Sequence, residues 1–429
     1  MKERSFDKIK REALLGFLKR KAMKPLEMAR YAYKNTLFYK NLYKEMPSDF
    51  KSLPLVRKEM VKEASPYDLL SKVLKNKVMW YGETTGSMGS PTPSFYTEKE
   101  FAGAYLLSLI SPYNKVLKDI LKENRTAING LTLEFTIAGA SFADLLVKNG
   151  ALVANVGARS TIGPPERIAR AIVRLKPSII AGTPIDFLSW MWIVKEDYPH
   201  EYEDVLKKLK LLLSTAELCS NSRVSRIQEH FGIIHINTYA TVEGFFTLTC
   251  PCSKKHILPA YYVELFDENL KYIGETGKGR LVITNLVKRS TPFVRYLLDD
   301  LVTIRETKPC SFGFSKNIIP HGRYELSLKA KDEIYNIGDI EEMLFNYGLF
   351  GDYSLNIFDD HIDVEIEEYG NYKIDGIGNE LFAIFSIPCL IKMVPFGSLT
   401  PYREIRKTKP ILKVMDKRST ASQIIPEIL

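Results

Sequence analysis

The chain has 429 residues, 45% of them hydrophobic, which is enough for a full core and more than one domain. Its 60 Lys and Arg against 51 Asp and Glu give a net charge of +9, but basic and acidic residues are interspersed, which argues against nucleic acid and suits anionic small molecules. Cys219, Cys250, Cys252, Cys310 and Cys389 are few and odd in number, no stretch reaches the ~18 consecutive apolar residues of a membrane span, and the N-terminus carries charge where a signal peptide would be apolar, so a disulfide framework and a membrane span are excluded and the reading is cytoplasmic.

In chain order, MKERSFDKIKREALLGFLKRKAM predicts a basic amphipathic helix with Phe6, Ile9, Ala13, Leu14 and Phe17 on the side expected to pack on the protein body. The run YGETTGSMGSPTPSFYT (81–97) has no hydrophobic periodicity. From Ala140 to Tyr239 helical and strand patterns alternate: a helix ending at Gly150, a strand ALVANV, and a helix PPERIARAIVRLKP with Ile168, Ile172 and Leu175 on one face. A strand SIIAG, a helix near Asp186 to Val194, a strand LLLST, a helix from Ser222 to Phe231 capped by Gly232, and a strand IIHINTY follow. This order implies a largely parallel, covered sheet. After Cys250 the sequence turns β-rich, and past a boundary at Arg323 to Ala330 the helix IGDIEEMLFNY, the strands YSLNIFD and HIDVEIEE, a helix at GNELFAIFS and the strands CLIKMV and ILKVMD predict a small α+β unit. The expected class is α/β: a large multi-layer α/β N-terminal domain (1–325) with a β-rich subdomain, plus a small mobile α+β C-terminal domain (326–429).

A phosphate-cradling loop needs backbone N–H groups that converge on oxygens, hence glycine, and hydroxyls that donate without bulk. Thr84, Thr85, Ser87 and Ser90 with Gly82, Gly86 and Gly89 supply both, yet neither a Walker loop nor GxGxxG is present, and composition alone leaves the stretch open between linker and phosphate loop.

The stretch TTGSMGSPTPSFYT resembles the ATP loop of the adenylate-forming superfamily, in the branch containing phenylacetate-CoA ligase, at Thr84, Thr85, Gly86, Ser87, Gly89, Pro91, Tyr96 and Thr97, with Met88 in place of a threonine. Further segments are similar to family motifs over almost the full length. KPSIIAGTPIDFLSW resembles the strand before the acyl pocket, and STAELC the segment that supplies backbone contacts to adenine, at Thr215, Ala216 and Glu217. INTYATVEG (Asn237, Thr238, Tyr239, Ala240, Thr241, Val242, Glu243) looks like the next nucleotide motif, with Ala240 and Val242 replacing a glycine and a hydroxyl residue. At the end of a strand Glu243 is a carboxylate suited to hold Mg²⁺ against a triphosphate. In GKGRLVITNLVKRSTPFVRYLLDDLVTI, Asp300 matches the aspartate that accepts from both ribose hydroxyls, and Arg323 matches the arginine of the hinge, where Glu325 stands near the place of an aspartate pair.

The C-terminal segments IGDIEEML and KMVPFGSL…KVMDKR are also family-like. The family lysine that promotes adenylation falls on Pro410, with Lys409 one residue before it, so Lys409 or Lys413 is the candidate. Cys250, Cys252 and His256 lie within seven residues and Cys310 follows later; this donor set suits zinc, although CxC…H is not a standard zinc spacing and isolated cysteines are often buried hydrophobes, so a structural zinc stands as a candidate only. Some relatives carry PCxCG where this chain has PCSFGF, with Phe312 in the place of the second cysteine. The resemblance implies a ligase that turns a carboxylic, and in this branch an aryl, acid into an acyl-adenylate with ATP and Mg²⁺ and passes it to coenzyme A, with pocket residues around Phe135, Gly139 and Gly182, and a homodimer as a candidate assembly. The alternatives are an adenylyltransferase acting on a cofactor hydroxyl and a degenerate nucleotide-binding regulatory protein.

Overall fold

A computed structural model describes residues 5–84, 91–158, 160–252, 254–331, 333–368, 374–405 and 413–419. The chain forms two compact units, one from Met1–Gly157 with Thr238–Ile319 and the other from Ala158–Asn237 with Pro320–Leu429.

In the first unit a seven-stranded sheet has the order Tyr272–Gly274, Tyr261–Phe266, Gly277–Asn285, Tyr296–Glu306, Lys316–Arg323, Lys254–Ile257, Thr247–Cys250. Its apolar face, with Val263, Leu281, Ile283 and Tyr296, packs with Met28, Ala32 and Tyr39 from the helices Pro25–Asn35 and Leu37–Tyr43. These two helices part at Thr36, whose side chain caps the second by accepting from Tyr39 N. Tyr39 is fully buried and its hydroxyl accepts from Val294 N at 2.9 Å, so the ring joins helix to sheet without an orphaned polar group. Strands Val78–Glu83 and Pro93–Thr97 pair antiparallel, so the glycine-rich run connects the arms of a hairpin that the sequence did not announce. Thr126–Asn129 pairs in parallel with Leu152–Asn155, a strand more open than its apolar sequence suggested, with Leu152 63% exposed.

The N-terminal helix forms over Ser5–Lys21, but with a different packed face from the one expected. Leu14, Leu15 and Leu18 join Ile110, Leu248, Leu258 and Phe314, whereas Ile9 and Phe17 are exposed. Arg11 is buried with its guanidinium over the Phe312 ring, so the face is centred on positions 11, 14, 15 and 18.

In the second unit Ile179–Gly182, Leu211–Ser214 and Ile234–Asn237 pair in parallel, as the alternating pattern required. Helix Pro165–Leu175 buries Ile168, Ala169 and Ile172, but Leu175 leaves the face because the helix stops at Lys176, whose φ of 43° is left-handed. Helix Pro199–Lys208 was not anticipated; Val205 is its buried residue, too little for an apolar stripe. Further on, Tyr353–Ile357 and Ile362–Glu367 pair antiparallel, and Val414–Asp416 and Cys389–Val394 add in parallel at the two sides. Helices Ile337–Asn346 and Ile374–Phe385 cover this sheet through Ile340, Leu344, Ile377 and Leu381. Among the described residues no helix is long and apolar enough to cross a membrane.

Candidate active site

In the first unit the hairpin fixes Thr84: its N–H donates to Thr92 O at 3.1 Å, and its hydroxyl accepts from Thr92 N at 2.9 Å. Thr85, Gly86, Ser87 and Gly89 lie outside the described residues. On the far arm Tyr96 is 4% exposed and its hydroxyl donates to Val242 O, which ties the hairpin to the turn carrying Glu243. That turn is closed by Thr241 N to Gly244 O at 3.2 Å and Gly244 N to Thr241 O at 3.0 Å. Gly244 is obligatory there: its φ is +149°, and a Cβ would meet the Tyr261 hydroxyl at 2.0 Å. Glu243 is 3% exposed. The buried Thr241 hydroxyl has no partner among the described residues. A buried hydroxyl left without a partner is costly unless something else satisfies it. Nearby, the Tyr239 hydroxyl donates to Asp300 Oδ2 at 2.5 Å, so these two predicted residues come together. Asp300 is buried and follows Asp299, whose φ of 64° is uncommon for a residue other than glycine.

Lys288 belongs to this region and was not singled out in the sequence. It is 4% exposed, its Nζ donates to Ser94 Oγ, and it stands 3.6 Å from the centroid of the Tyr96 ring. Burial pushes its pKa down to about 7, against the opposing pull of Glu100 and Glu243. Glu100 is held by the backbone N–H groups of Arg289 at 2.8 Å and Ser290 at 3.0 Å.

In the second unit the predicted adenine segment leaves the strand Leu211–Ser214. Thr215 is buried and Ala216 has a φ of 65°, a left-handed backbone that costs a non-glycine residue energy and that clusters at functional sites. The Glu217 carboxylate accepts from Ile185 N at 3.1 Å and from Arg223 Nη1 at 2.8 Å. Asn237 closes the next strand and donates to Ser214 Oγ at 2.9 Å, while that oxygen lies 2.6 Å from His235 Nε2. Arg323 is exposed, and its carbonyl accepts from Asn336 Nδ2 at 2.6 Å.

No family model and no curated protein matches the sequence. Solved structures do match. A 2-hydroxyisobutyryl-CoA ligase in the postadenylation state in complex with 2-HIB-AMP aligns with a TM-score of 0.69 at 16% identity, over 94% of this chain and 89% of that one. The acyl acid amido synthetase AtGH3.15 in complex with 2,4-DB aligns with a TM-score of 0.62 at 13% identity, over 93% and 91%. The same CoA ligase in complex with 2-HIB-AMP and CoA in the thioesterification state gives 0.55 at 16% identity, over 95% and 90%. The chain has the adenylate-forming fold. At these identities the likeness speaks for the fold, and the chemistry has to be argued from the residues.

Within the adenylate-forming fold this chain carries a second constellation. Cys250, Cys252, His256 and Cys310, chosen in the sequence as zinc candidates, come together with all four ligand atoms within 4.8 Å of one another. His256 Nε2 faces Cys252 Sγ at 3.3 Å and Cys310 Sγ at 3.7 Å, and Cys250 Sγ lies 3.9 Å from Cys310 Sγ. The antiparallel pairing of Thr247–Cys250 with Lys254–Ile257 brings the first three together, and pairing of Asn317 and Ile318 with His256 and Lys255 brings the 310 loop alongside. Three thiols and one imidazole converging from two strands and a loop are the donor set and number that zinc takes.

Lys409 lies outside the described residues. Lys413, its alternate, pairs at 2.5 Å with Asp352 and is 12% exposed. Burial pushes the Asp352 carboxyl up, but Lys413 and Arg223 outweigh it and the net shift is downward.

Proposed function

We propose that this chain is an ATP-dependent acid–thiol ligase. A carboxylate oxygen of the acid attacks the α-phosphorus of ATP, pyrophosphate leaves, and the sulfur of coenzyme A then displaces AMP from the acyl carbon. The observation that carries the reading is Glu243: a buried carboxylate at a turn that Gly244 and the Tyr96–Val242 bond hold in place. That arrangement fits a divalent cation, which supplies charge neutralisation on the phosphates when bound. Thr84 and the glycine-rich run would cradle phosphate, Thr215, Ala216 and Glu217 with Asn237, Thr238, Tyr239, Ala240 and Thr241 would line the base and sugar, and Asp300 and Arg323 would take the ribose hydroxyls. Lys409 would enter from the small domain, residues 326–429, as that domain swings about the 323–330 segment between adenylation and thiol transfer. The acid is assigned to the aryl class by resemblance to the phenylacetate-CoA ligase branch.

The test is pyrophosphate release over a panel of aryl and aliphatic acids, with and without coenzyme A. An aryl acid that releases pyrophosphate and yields its CoA thioester is the expected result. Transfer of AMP to a hydroxyl acceptor without consumption of coenzyme A would select the adenylyltransferase reading instead. Lys409→Ala should slow the acyl-adenylate half-reaction, and an unchanged rate would remove Lys409 from it.

The Cys250, Cys252, His256 and Cys310 cluster is proposed to hold a structural zinc. Elemental analysis of untagged protein should return one zinc per chain, and Cys252→Ser should lower that content together with thermal stability. Zinc well below one equivalent in the unsubstituted protein would refute it.

A further inference from the structure

In the second unit the helices Asn221–Phe231 and Ile337–Asn346 cap each other's ends. The first helix begins with free backbone donors at its positive end, and two carboxylates of the second reach it: Ser220 N donates to Glu341 Oε1 at 2.7 Å, and Ser222 N to Glu342 Oε2 at 3.1 Å. The Ser222 hydroxyl donates to Glu342 Oε1 at 2.6 Å. In return Arg226 of the first helix reaches the negative end of the second, donating from Nε to Phe345 O at 3.0 Å and from Nη2 to Asn346 O at 3.3 Å. Between the two sets Arg223, 3% exposed, bridges Glu217 at 2.8 Å and Glu341 at 3.4 Å. Each helix therefore supplies the charge that the other helix's terminus requires. The Arg223 bridge continues the link through Glu217 to Ile185 N, at the start of helix Pro184–Asp197.

We propose that these reciprocal caps are a latch between the 215–226 segment and the small domain, with Glu341, Glu342 and Arg226 as positioning residues that set the balance between the two half-reactions. The inference rests on the ligase reading for its kinetic consequence, though not for the latch itself. The physical reason is the cost of release. Separating the helices removes these charged contacts from both termini, leaving the first helix only its own Ser220 cap, and leaves Arg223 with one carboxylate fewer, so the latched arrangement is favoured until binding elsewhere offsets that cost. A latch of this kind slows leaving the closed arrangement while leaving the acid-binding residues untouched.

Glu341→Gln, Glu342→Gln and Arg226→Met test it. The glutamines keep size and one acceptor oxygen while removing charge, and Arg226 is partly exposed, so at least one variant is expected to fold. Amide hydrogen exchange, followed without substrate, should rise about tenfold in both 217–226 and 337–346 in each variant, because a reciprocal cap lost at one end frees both helices. The ratio of ATP–pyrophosphate exchange to single-turnover acyl transfer to coenzyme A should move by about fivefold or more with the KM for acid unchanged. Exchange confined to the substituted helix, or a half-reaction ratio equal to that of the unsubstituted enzyme, overturns the latch. If the unsubstituted protein forms no acyl-adenylate with any acid while exchange rises in both segments, the ligase reading fails and the latch stands.

Discussion

Two clusters of buried charge, one in each unit, are satisfied in different ways, although the first unit also holds the buried Arg295–Glu264 pair at 3.2 Å. In the second unit Arg223, Glu341 and Asp352 are buried and each is matched by an opposite charge within hydrogen-bonding or ion-pairing reach, Asp352 by the partly buried Lys413. In the first unit Lys288 and Glu243 are as deeply buried, yet Lys288 is held by a hydroxyl and an aromatic face and no ion pair joins it to Glu243 among the described residues. Fully paired charge fixes geometry, whereas partly satisfied charge is retained where something is to be bound. The first arrangement holds two chain segments together, and the second has the character of a site.

The contrast can be broken at four places, taken from the largest effect to the smallest. Glu243→Gln should leave stability near that of the unsubstituted protein while lowering pyrophosphate release on the order of 100-fold, read by a phosphate-coupled assay. Asp352→Asn should destabilise by roughly 3–5 kcal/mol, because it strands Lys413 in the interior, and denaturant unfolding measures it. The same pair loses its contribution in acid: the folded value for Asp352 lies below the usual carboxylate value, so the stability it brings is present above about pH 4 and goes as pH falls through the folded value.

Lys288→Met should change stability in the opposite direction, raising it by about 1–4 kcal/mol at pH 7, since an apolar side chain replaces a buried amine that lacks a close carboxylate. The sign with pH follows from a folded-state pKa of about 7 against an ordinary 10.5: stability from this group is present above 10.5 and is lost as pH falls toward 7. The gain from Lys288→Met should therefore shrink between pH 7 and pH 10, and a gain independent of pH would show that the amine is not the cause. Least affected is the exposed pair of Arg403 with Asp197, bonded at 2.6 and 2.9 Å, where Arg403→Ala should cost less than about 1 kcal/mol by thermal melting.

Much of this was legible in the sequence where period or spacing carries the information. The parallel strands IIAG, LLLS and IHIN stood out as short apolar runs between helical stretches, and the chain forms them at those places. The cysteine–histidine set was legible because its first three members lie on one hairpin, although the approach of Cys310 depends on strand pairing 60 residues away. Other features had no local signature. The packed side of the N-terminal helix was misassigned because Ile9 and Phe17 satisfy the helical period as well as Leu14, Leu15 and Leu18 do, and only tertiary contact with Phe312 and Phe314 chooses between them. Lys288 escaped notice since a lysine is nearly always solvated, and its burial comes from Ser94 and Tyr96, almost two hundred residues upstream. The caps at Glu341 and Glu342 were hidden within a helix whose acidic residues look like an ordinary polar face.

The cysteine–histidine cluster has a consequence for the unfolded chain. Cys250 and Cys310 bracket the strands Lys254–Ile257, Tyr261–Phe266, Tyr272–Gly274, Gly277–Asn285 and Tyr296–Glu306, most of the seven-stranded sheet. An ion held by both ends would turn that stretch into a closed ring, and a ring of this size loses loop entropy worth roughly 4 kcal/mol before any native contact forms. The sheet that presents Asp300 would then owe part of its durability to a tether at its margin, and a protein stripped of that ion would refold more slowly even where its finished structure is the same.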